Sequence, residues 1–400
     1  MRRVAITGLG AVSPAGLDLA STWSAVREGR SAIGALHVER EELLSCRIAA
    51  QVRDFDPEAC FKRKQIATID RNSQFAVVAA REAVADCGID PEHPALAQAA
   101  TIVGVGAGGV ETLENSYWRL YGEDNRRVHP FTVPRQMCSA AASQVAMDLG
   151  LHGTGFCVTS ACSSGTHAVG LAYGMIRSGL HTMAVAGGTE ACVTAGAVLA
   201  WEALRVLSSD TCRPFSANRS GLVLGEGSAM LVLEDWDHAV ARGATIHAEI
   251  LGFASNSDAR DLTSPDQENV ARAMATAIES AGRTPADIGY INAHGTGTAM
   301  NDAVESAAIR DVFTKGSPPV SSTKGVLGHS LGATGAMEAL LTAMALKDQV
   351  MPPTANCDQP EEALGIDVIG QQSRSGNFDA AMSSSFAFGG LNAVLVLGRA

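Results

Sequence analysis

Aromatic residues make up only 5% of this 400-residue chain and charged residues only 18%. So little charge beside a 46% hydrophobic content excludes a disordered or coiled-coil protein. Basic residues are the scarcer sign: 30 Lys and Arg against 42 Asp and Glu give a net charge of −12, which argues against nucleic acid or an anionic membrane surface as the main partner. Long apolar runs are missing too. No window approaches the ~18 residues of a membrane span, and after Arg2 and Arg3 the apolar stretch Val4 to Leu9 is too short for an export signal. The nine cysteines are odd in number and show neither C-x-x-C pairs nor zinc spacing, so no structural metal is expected. A reducing, cytoplasmic protein is the expectation.

Glycine, by contrast, is plentiful: 41 residues, a fraction above the usual ~7%. Many close backbone approaches are implied, with helices and strands packed through small side chains. Four hundred residues exceed what one domain normally needs, so two domains or one duplicated domain is expected.

Apolar runs bounded by glycine predict strands at 4–8, 101–106, 155–160, 183–188 and 229–234, and a second series at 246–253, 288–294, 320–323, 380–386 and 393–397. Helical patterns such as 73–87, 270–281 and 301–312 alternate with them, so the class is α/β. The halves also resemble each other. After Val158 to Ser160 the chain reads Ala161-Cys162-Ser163-Ser164-Gly165 and continues as a helix of small and apolar residues through Ile176. After Val320 to Thr323 it passes Gly328-His329 into a similar run from Leu331 to Leu346. A helix apolar on every face is buried. Two such helices, one per half, predict two sheets sandwiching a central helical layer, with outer helices on each side. The boundary falls near residues 236 to 246, giving halves of 1–240 and 241–400.

Cys162 stands between a predicted strand and a helix N-terminus, whose free N–H groups and partial positive charge favour a thiolate. A small buried hydrophobe is the alternative, but the strand, turn and small-residue helix favour a nucleophile. His294, in Asn292-Ala293-His294-Gly295-Thr296-Gly297-Thr298, and His329, in Lys324-Gly325-Val326-Leu327-Gly328-His329, both sit at strand-to-helix turns in the half that mirrors the cysteine-bearing one.

The segments Cys162 to Gly165, Asn292 to Thr298, Lys324 to Gly335 and Phe386-Ala387-Phe388-Gly389-Gly390 resemble the β-ketoacyl-acyl-carrier-protein synthases of the type I and II condensing class. The likeness runs from Val4-Ala5-Ile6-Thr7-Gly8 to the last strand. It is nearest, through Trp201 to Leu207 and Arg213-Pro214-Phe215-Ser216, to the nodulation-type branch of synthase II. The resemblance implies a thiolase-like, five-layer αβαβα fold of two duplicated halves and a homodimer. It implies decarboxylative Claisen condensation of an acyl thioester with malonyl-acyl-carrier-protein, with no cofactor or metal and with substrates on the carrier's phosphopantetheine arm. Cys162 would carry the acyl group. His294 and His329 would hydrogen-bond the malonyl thioester carbonyl as enolate charge develops, and the backbone N–H groups of Cys162 and Phe388 would hold the oxyanion. Lys324 and Glu338 match the family's buried lysine and glutamate, a pair in which either charge alone would be costly. Thr296 and Thr298 match contacts to the pantetheine arm, Phe386 and Phe388 the gating loop, and Ala107 a position that limits the acyl pocket. A ketosynthase of a type II polyketide or polyene pathway, or a non-elongating partner subunit, is the alternative within the family; the presence of Cys162 and both histidines argues against the latter.

Two departures stand out. Ala387 and Leu391 replace a glycine and a threonine of the gating loop, and alanine's narrower φ range implies a stiffer gate. The small Ala107 implies a roomier acyl pocket. The basic run Lys62-Arg63-Lys64, with Arg71 near it, offers charge complementarity to an acidic carrier protein. Two rival motifs occur. Gly328-His329-Ser330-Leu331-Gly332 matches the G-x-S-x-G nucleophile elbow, but no histidine follows it to complete a triad. Gly104, Gly106 and Gly109 match G-x-G-x-x-G after a strand, with only a polar, loop-like stretch where the acidic ribose ligand would fall.

Overall fold

A computed structural model describes all 400 residues. Ten strands build the main sheet, and all ten coincide with the predicted runs to within a few residues. They are β1 (Val4–Val12), β2 (Ala100–Gly104), β3 (Gly155–Val158), β4 (Met183–Glu190) and β5 (Gly227–Asp235), followed by β6 (Ala248–Ser257), β7 (Tyr290–Asn292), β8 (Val320–Ser321), β9 (Ala380–Ala387) and β10 (Leu391–Arg399). The spatial order is β3-β2-β4-β5-β1 in the first half and β8-β7-β9-β10-β6 in the second. Each strand of the second order is the first-half strand plus five. The senses repeat as well: β2 runs parallel to β3 and β4, β7 runs parallel to β8 and β9, and the remaining pairs are antiparallel. The duplication inferred from two short sequence likenesses therefore extends to the whole topology.

One expectation needs correction. The two sheets are hydrogen-bonded to each other, because β1 and β6 pair antiparallel at Val4–Ile250, Ala5–Glu249 and Ile6–Ala248. The contact covers only three residue pairs, because the antiparallel β1 and β6 overlap only at their N-terminal ends and run on in opposite directions.

Those helices are α2 (Ser164–Arg177) and α6 (Thr334–Asp348), each led in by a single 3₁₀ turn, Ala161–Ser163 and Leu331–Ala333. Every residue of α6 from Thr334 to Leu346 is buried, as a helix apolar on all faces demands. The central core joins Ala168, Val169 and Ile176 of α2 and Leu340, Leu341 and Leu346 of α6 to the inward faces of both half-sheets. Separate outer cores lie beneath α1 (Arg71–Cys87) in the first half and beneath α4 (Gln267–Ser280) and α5 (Ala299–Val312) in the second. Three cores between alternating helical and sheet layers make the five-layer αβαβα arrangement. The short helix α3 (Ala195–Ala203) packs through Ala195 and Val198 on a small apolar cluster of the first half, with Trp201 against it.

The two central helices cross at matched glycines. A Cβ on Gly165 would stand 2.6 Å from Ala336 N, and one on Gly335 would stand 2.0 Å from Thr166 Oγ1 and 2.8 Å from Thr166 N. Gly174, on the same helix as Gly165, has nothing within 4 Å of such a carbon. Gly335→Ala is therefore expected to destabilise the protein by about 1–3 kcal/mol, the usual cost of overpacking. Gly174→Ala is expected to stabilise it by up to about 1 kcal/mol through helix propensity. Urea denaturation of both variants checks the contrast.

Candidate active site

Cys162 projects from the 3₁₀ turn that joins β3 to α2. Ala161, just before it, adopts the left-handed conformation at φ 49°, which a side chain tolerates poorly. Serines hold the turn: Ser164 Oγ accepts from Ser160 N at 2.8 Å and donates to Ala161 O at 2.7 Å, and Ser163 Oγ donates to Leu391 O at 2.7 Å. The second half repeats this elbow. Leu331 takes φ 44°, Ser330 stands where Ser160 stands, Thr334 where Ser164 stands, and Gly332 occupies the place of Cys162. The G-x-S-x-G likeness is thus a duplicated elbow without a nucleophile. Ser330 Oγ bonds Thr334 Oγ1 at 3.1 Å, and the neighbouring histidine turns elsewhere.

That histidine, His329, places Nε2 3.0 Å from Cys162 Sγ and Nδ1 3.0 Å from Thr334 Oγ1. Its backbone is clamped on both sides, its N–H donating to Val223 O and its carbonyl accepting from Gly225 N. His294 follows β7, and its ring meets that of His329 edge to face with centroids 5.4 Å apart. The buried Glu305 carboxylate fixes the turn, accepting from His294 N at 2.8 Å and Gly295 N at 2.7 Å.

Behind the histidines lies the buried pair Lys324 and Glu338. The Lys324 ammonium donates to Glu338 Oε1 and to the carbonyl of His294, and it lies 3.4 Å from His294 Nδ1. An ammonium has only donors, so Nδ1 keeps its lone pair and Nε2 carries the proton. Burial pushes the Glu338 carboxyl up, and the Lys324 charge pulls it back. Both imidazoles are driven well below the ordinary histidine value, first by burial and then by the Lys324 charge. They are neutral N–H donors at neutral pH.

The thiol departs from the expectation. Burial pushes Cys162 up to about 12, against the Lys324 charge and the N–H groups of Phe388 and Cys162 that face the sulfur. Desolvation of the charged form wins over these attractions. The resting side chain is a neutral thiol beside His329, not a thiolate.

Cys162, His294 and His329 form the floor of a cavity of about 290 Å³, walled by Thr296, Thr298, Phe386, Phe388 and Trp201. The Oγ atoms of Thr296 and Thr298 lie 2.8 Å apart. Trp201 of α3 stacks on Phe388 at 5.8 Å between centroids. Its site position was not read from the sequence, where it served only as part of a family likeness. Ala387 is the last residue of β9 and packs near Cys162, Cys192 and Leu331. The left-handed positions of the loop are Gly389 and Gly390, so this conformation asks nothing special of residue 387 and lends no support to a gate stiffened through φ.

Five other expected residues lie elsewhere. Ala107 is exposed and outside the cavity. Lys62, Arg63 and Lys64 form an exposed turn around the short helix Arg63–Ile66. Arg71 does not join them, being half-buried and paired with Glu226 at 2.8 Å.

The glycine turn after β2 also resolves its rival reading. The carboxylate of Glu190 accepts from Gly106 N at 2.7 Å and from Ala107 N. A protein acid thus fills the place a phosphate would need. The sulfur and ring nitrogens of Cys162, His294 and His329 lie within 4.8 Å of one another, a donor set that suits soft metals. The tautomer of His294 opposes that use, because its protonated Nε2 has no lone pair to give. No helix is long and apolar enough to cross a membrane.

A nucleophile on one elbow, two neutral histidines from the mirrored half and a thiolase-like five-layer scaffold define a condensing acyltransferase. The N-terminal domain profile of the β-ketoacyl synthases matches residues 1–239 and the C-terminal profile residues 247–358. The chain is 46% identical to nodulation protein E of Rhizobium sp. (strain N33) over 396 residues, 98% of each chain. It is 38% identical to 3-oxoacyl-[acyl-carrier-protein] synthase 2 of Staphylococcus aureus (strain COL), covering 99% of this chain and 98% of the other. The ishigamide ketosynthase/chain length factor superimposes with a TM-score of 0.96 at 32% identity, covering 100% and 99% of the two chains. The chain belongs to the β-ketoacyl synthase family.

Because the histidine values are depressed, protonation that would remove their hydrogen-bonding state occurs only well below pH 6.5. The rate of malonyl-thioester decarboxylation is therefore expected to stay level from pH 8 down to 6.5, with no acid limb near the ordinary histidine value. A stopped-time carbon dioxide assay across that range measures it.

Proposed function

We propose that this enzyme condenses an acyl group held on Cys162 with malonyl-acyl-carrier-protein, releasing carbon dioxide and 3-oxoacyl-acyl-carrier-protein. The observation that carries the reading is the convergence of Cys162 Sγ and two neutral imidazoles at the floor of one cavity. Cys162 attacks the acyl thioester while the Nε2–H of His329 hydrogen-bonds its sulfur, the thiol proton passes to the departing pantetheine sulfur, and the tetrahedral oxyanion rests on the N–H groups of Cys162 and Phe388. The malonyl thioester then enters past Thr296 and Thr298 with its carbonyl toward the Nε2–H groups of His294 and His329. Loss of carbon dioxide leaves an enolate stabilised by those donors, its carbon attacks the Cys162 thioester, and the thiol is regenerated. Lys324, held by Glu338, fixes the His294 tautomer. In this reading residues 1–240 form the half that supplies the nucleophile and residues 241–400 the half that supplies both histidines. The geometry serves a fatty acyl chain and a polyketide or polyene chain alike, and the acyl panel below separates them.

Intact-protein mass spectrometry after incubation with acyl-carrier thioesters of varied length tests the assignment. A stable adduct on Cys162 is expected, with none in Cys162→Ala. His294→Ala and His329→Ala are expected to retain some adduct while losing on the order of 10²- to 10³-fold in decarboxylation, the size of effect that follows loss of one oxyanion donor. Acylation without a Cys162 requirement would refute the assignment.

Two partners belong to the same proposal. Lys62, Arg63 and Lys64 are exposed and available to an acidic carrier protein. Their combined charge reversal is expected to raise KM for carrier-linked acyl groups while leaving KM for small thioesters unchanged; equal changes would count against docking there. A second copy is supported by β3, an open sheet edge, and by the exposed large apolar side chains of Tyr117, Trp118, Tyr121 and Val133, the kind of surface that marks association sites. Sedimentation velocity distinguishes one copy from two. Ala107, exposed in a single chain, could limit an acyl pocket only if such a partner covers it.

A further inference from the structure

Glu190, the last residue of β4, is fully buried. Burying a carboxylate is expensive unless it is well bonded, and no cation faces this one; its partners are backbone N–H groups. Oε2 accepts from Gly106 N at 2.7 Å and from Gly332 N at 3.1 Å, and Ala107 N lies 3.2 Å from Oε1. A Cβ on Gly106 would stand 2.3 Å from Oε2 and one on Gly332 2.7 Å from it, so both glycines make room for the carboxylate.

The duplication gives this contact its meaning. Gly332 holds the place of Cys162, so its N–H corresponds to the Cys162 N–H assigned above to the oxyanion. Strands β4 and β9 correspond and both have eight residues, so Glu190 corresponds to Ala387. The first elbow thus leaves its N–H open beside an alanine methyl, while the second has its N–H taken by a carboxylate. Gly332 lies three residues after His329, with only Ser330 and the left-handed Leu331 between.

We propose that Glu190 is a positioning residue: it fills the anion pocket of the second elbow, ties that elbow to the 106–108 turn of the first half, and so sets His329 against Cys162. The proposal rests on the reading of Cys162 and His329 given above. Its negative charge also opposes ionisation of the Cys162 thiol.

Full-length Glu190→Ala and Glu190→Gln provide the test. Glu190→Ala removes the atoms that acetate would restore, a methyl carbon and a carboxylate. Its rate of Cys162 acylation is expected to fall on the order of 10- to 100-fold, as a small misplacement of reacting groups does. Millimolar acetate is expected to recover much of that loss and to raise the melting temperature of the variant but not of the wild type. In Glu190→Gln the charge is gone and the shape kept, so alkylation of Cys162 by iodoacetamide is expected to begin at lower pH while melting stays near the wild-type value. Wild-type acylation by Glu190→Ala, or a loss that acetate does not touch together with an unshifted alkylation profile in Glu190→Gln, would overturn the proposal. If Glu190→Ala does not fold, an unshifted profile in Glu190→Gln overturns it alone. A wild-type protein that forms no Cys162 adduct would defeat the assignment of Cys162 instead, and the acetate and alkylation measurements would still report on Glu190.

Discussion

The crossing of two buried helices through Gly165 and Gly335 is the constraint on which the rest of the molecule depends. Each helix carries an elbow at its N-terminus, one bearing Cys162 and the other following His329. Their separation is therefore set by how closely the helix backbones approach, and at the crossing that approach leaves no room for a Cβ. The sheets and outer helices hold this pair from both sides. A site made from two halves usually depends on an interface that can slide; here the contact is backbone against backbone in a close-packed interior, which transmits displacement and does not absorb it.

Around that crossing the protein keeps several ionisable groups away from water and handles each differently. Lys324 and Glu338 neutralise each other, while Glu190 and Glu305 are held by backbone N–H groups, and burial pushes each of those two acids up to about 7. The histidines and the cysteine stay uncharged. A floor of neutral donors and a neutral thiol suits a reaction in which negative charge appears only transiently, on an enolate or a tetrahedral oxygen, because preorganised dipoles in a dry site act strongly on such charge. A resident thiolate would compete for the same donors.

All ten main strands were legible, since each is an apolar run closed by glycine or a polar turn. Cys162, His294 and His329 were legible because each sits at a strand-to-helix turn. What escaped had a physical cause. The β1–β6 pairing is specified by strand geometry and not by residue type. The thiol's ionisation is not legible, because a helix terminus can be read from sequence while the desolvation of the one side chain standing at it cannot. Arg71 was grouped with Lys62, Arg63 and Lys64 by proximity in sequence, although its partner Glu226 comes 155 residues later. Glu190 and Glu305 carried a faint signal, an acid ending an apolar strand and an acid on the buried face of a helix, but the N–H groups they hold come from distant turns.

Ala161 and Leu331 occupy a region of backbone space that is broad for glycine and small for any residue with a Cβ. Such a residue costs of order 1 kcal/mol to place there, yet once placed it fluctuates over a narrower range of φ and ψ. The two elbows are thus stiff at the dihedrals that aim them. The thermal wander of the sulfur and of the imidazole facing it is limited at the backbone itself, before any substrate arrives to order the cavity.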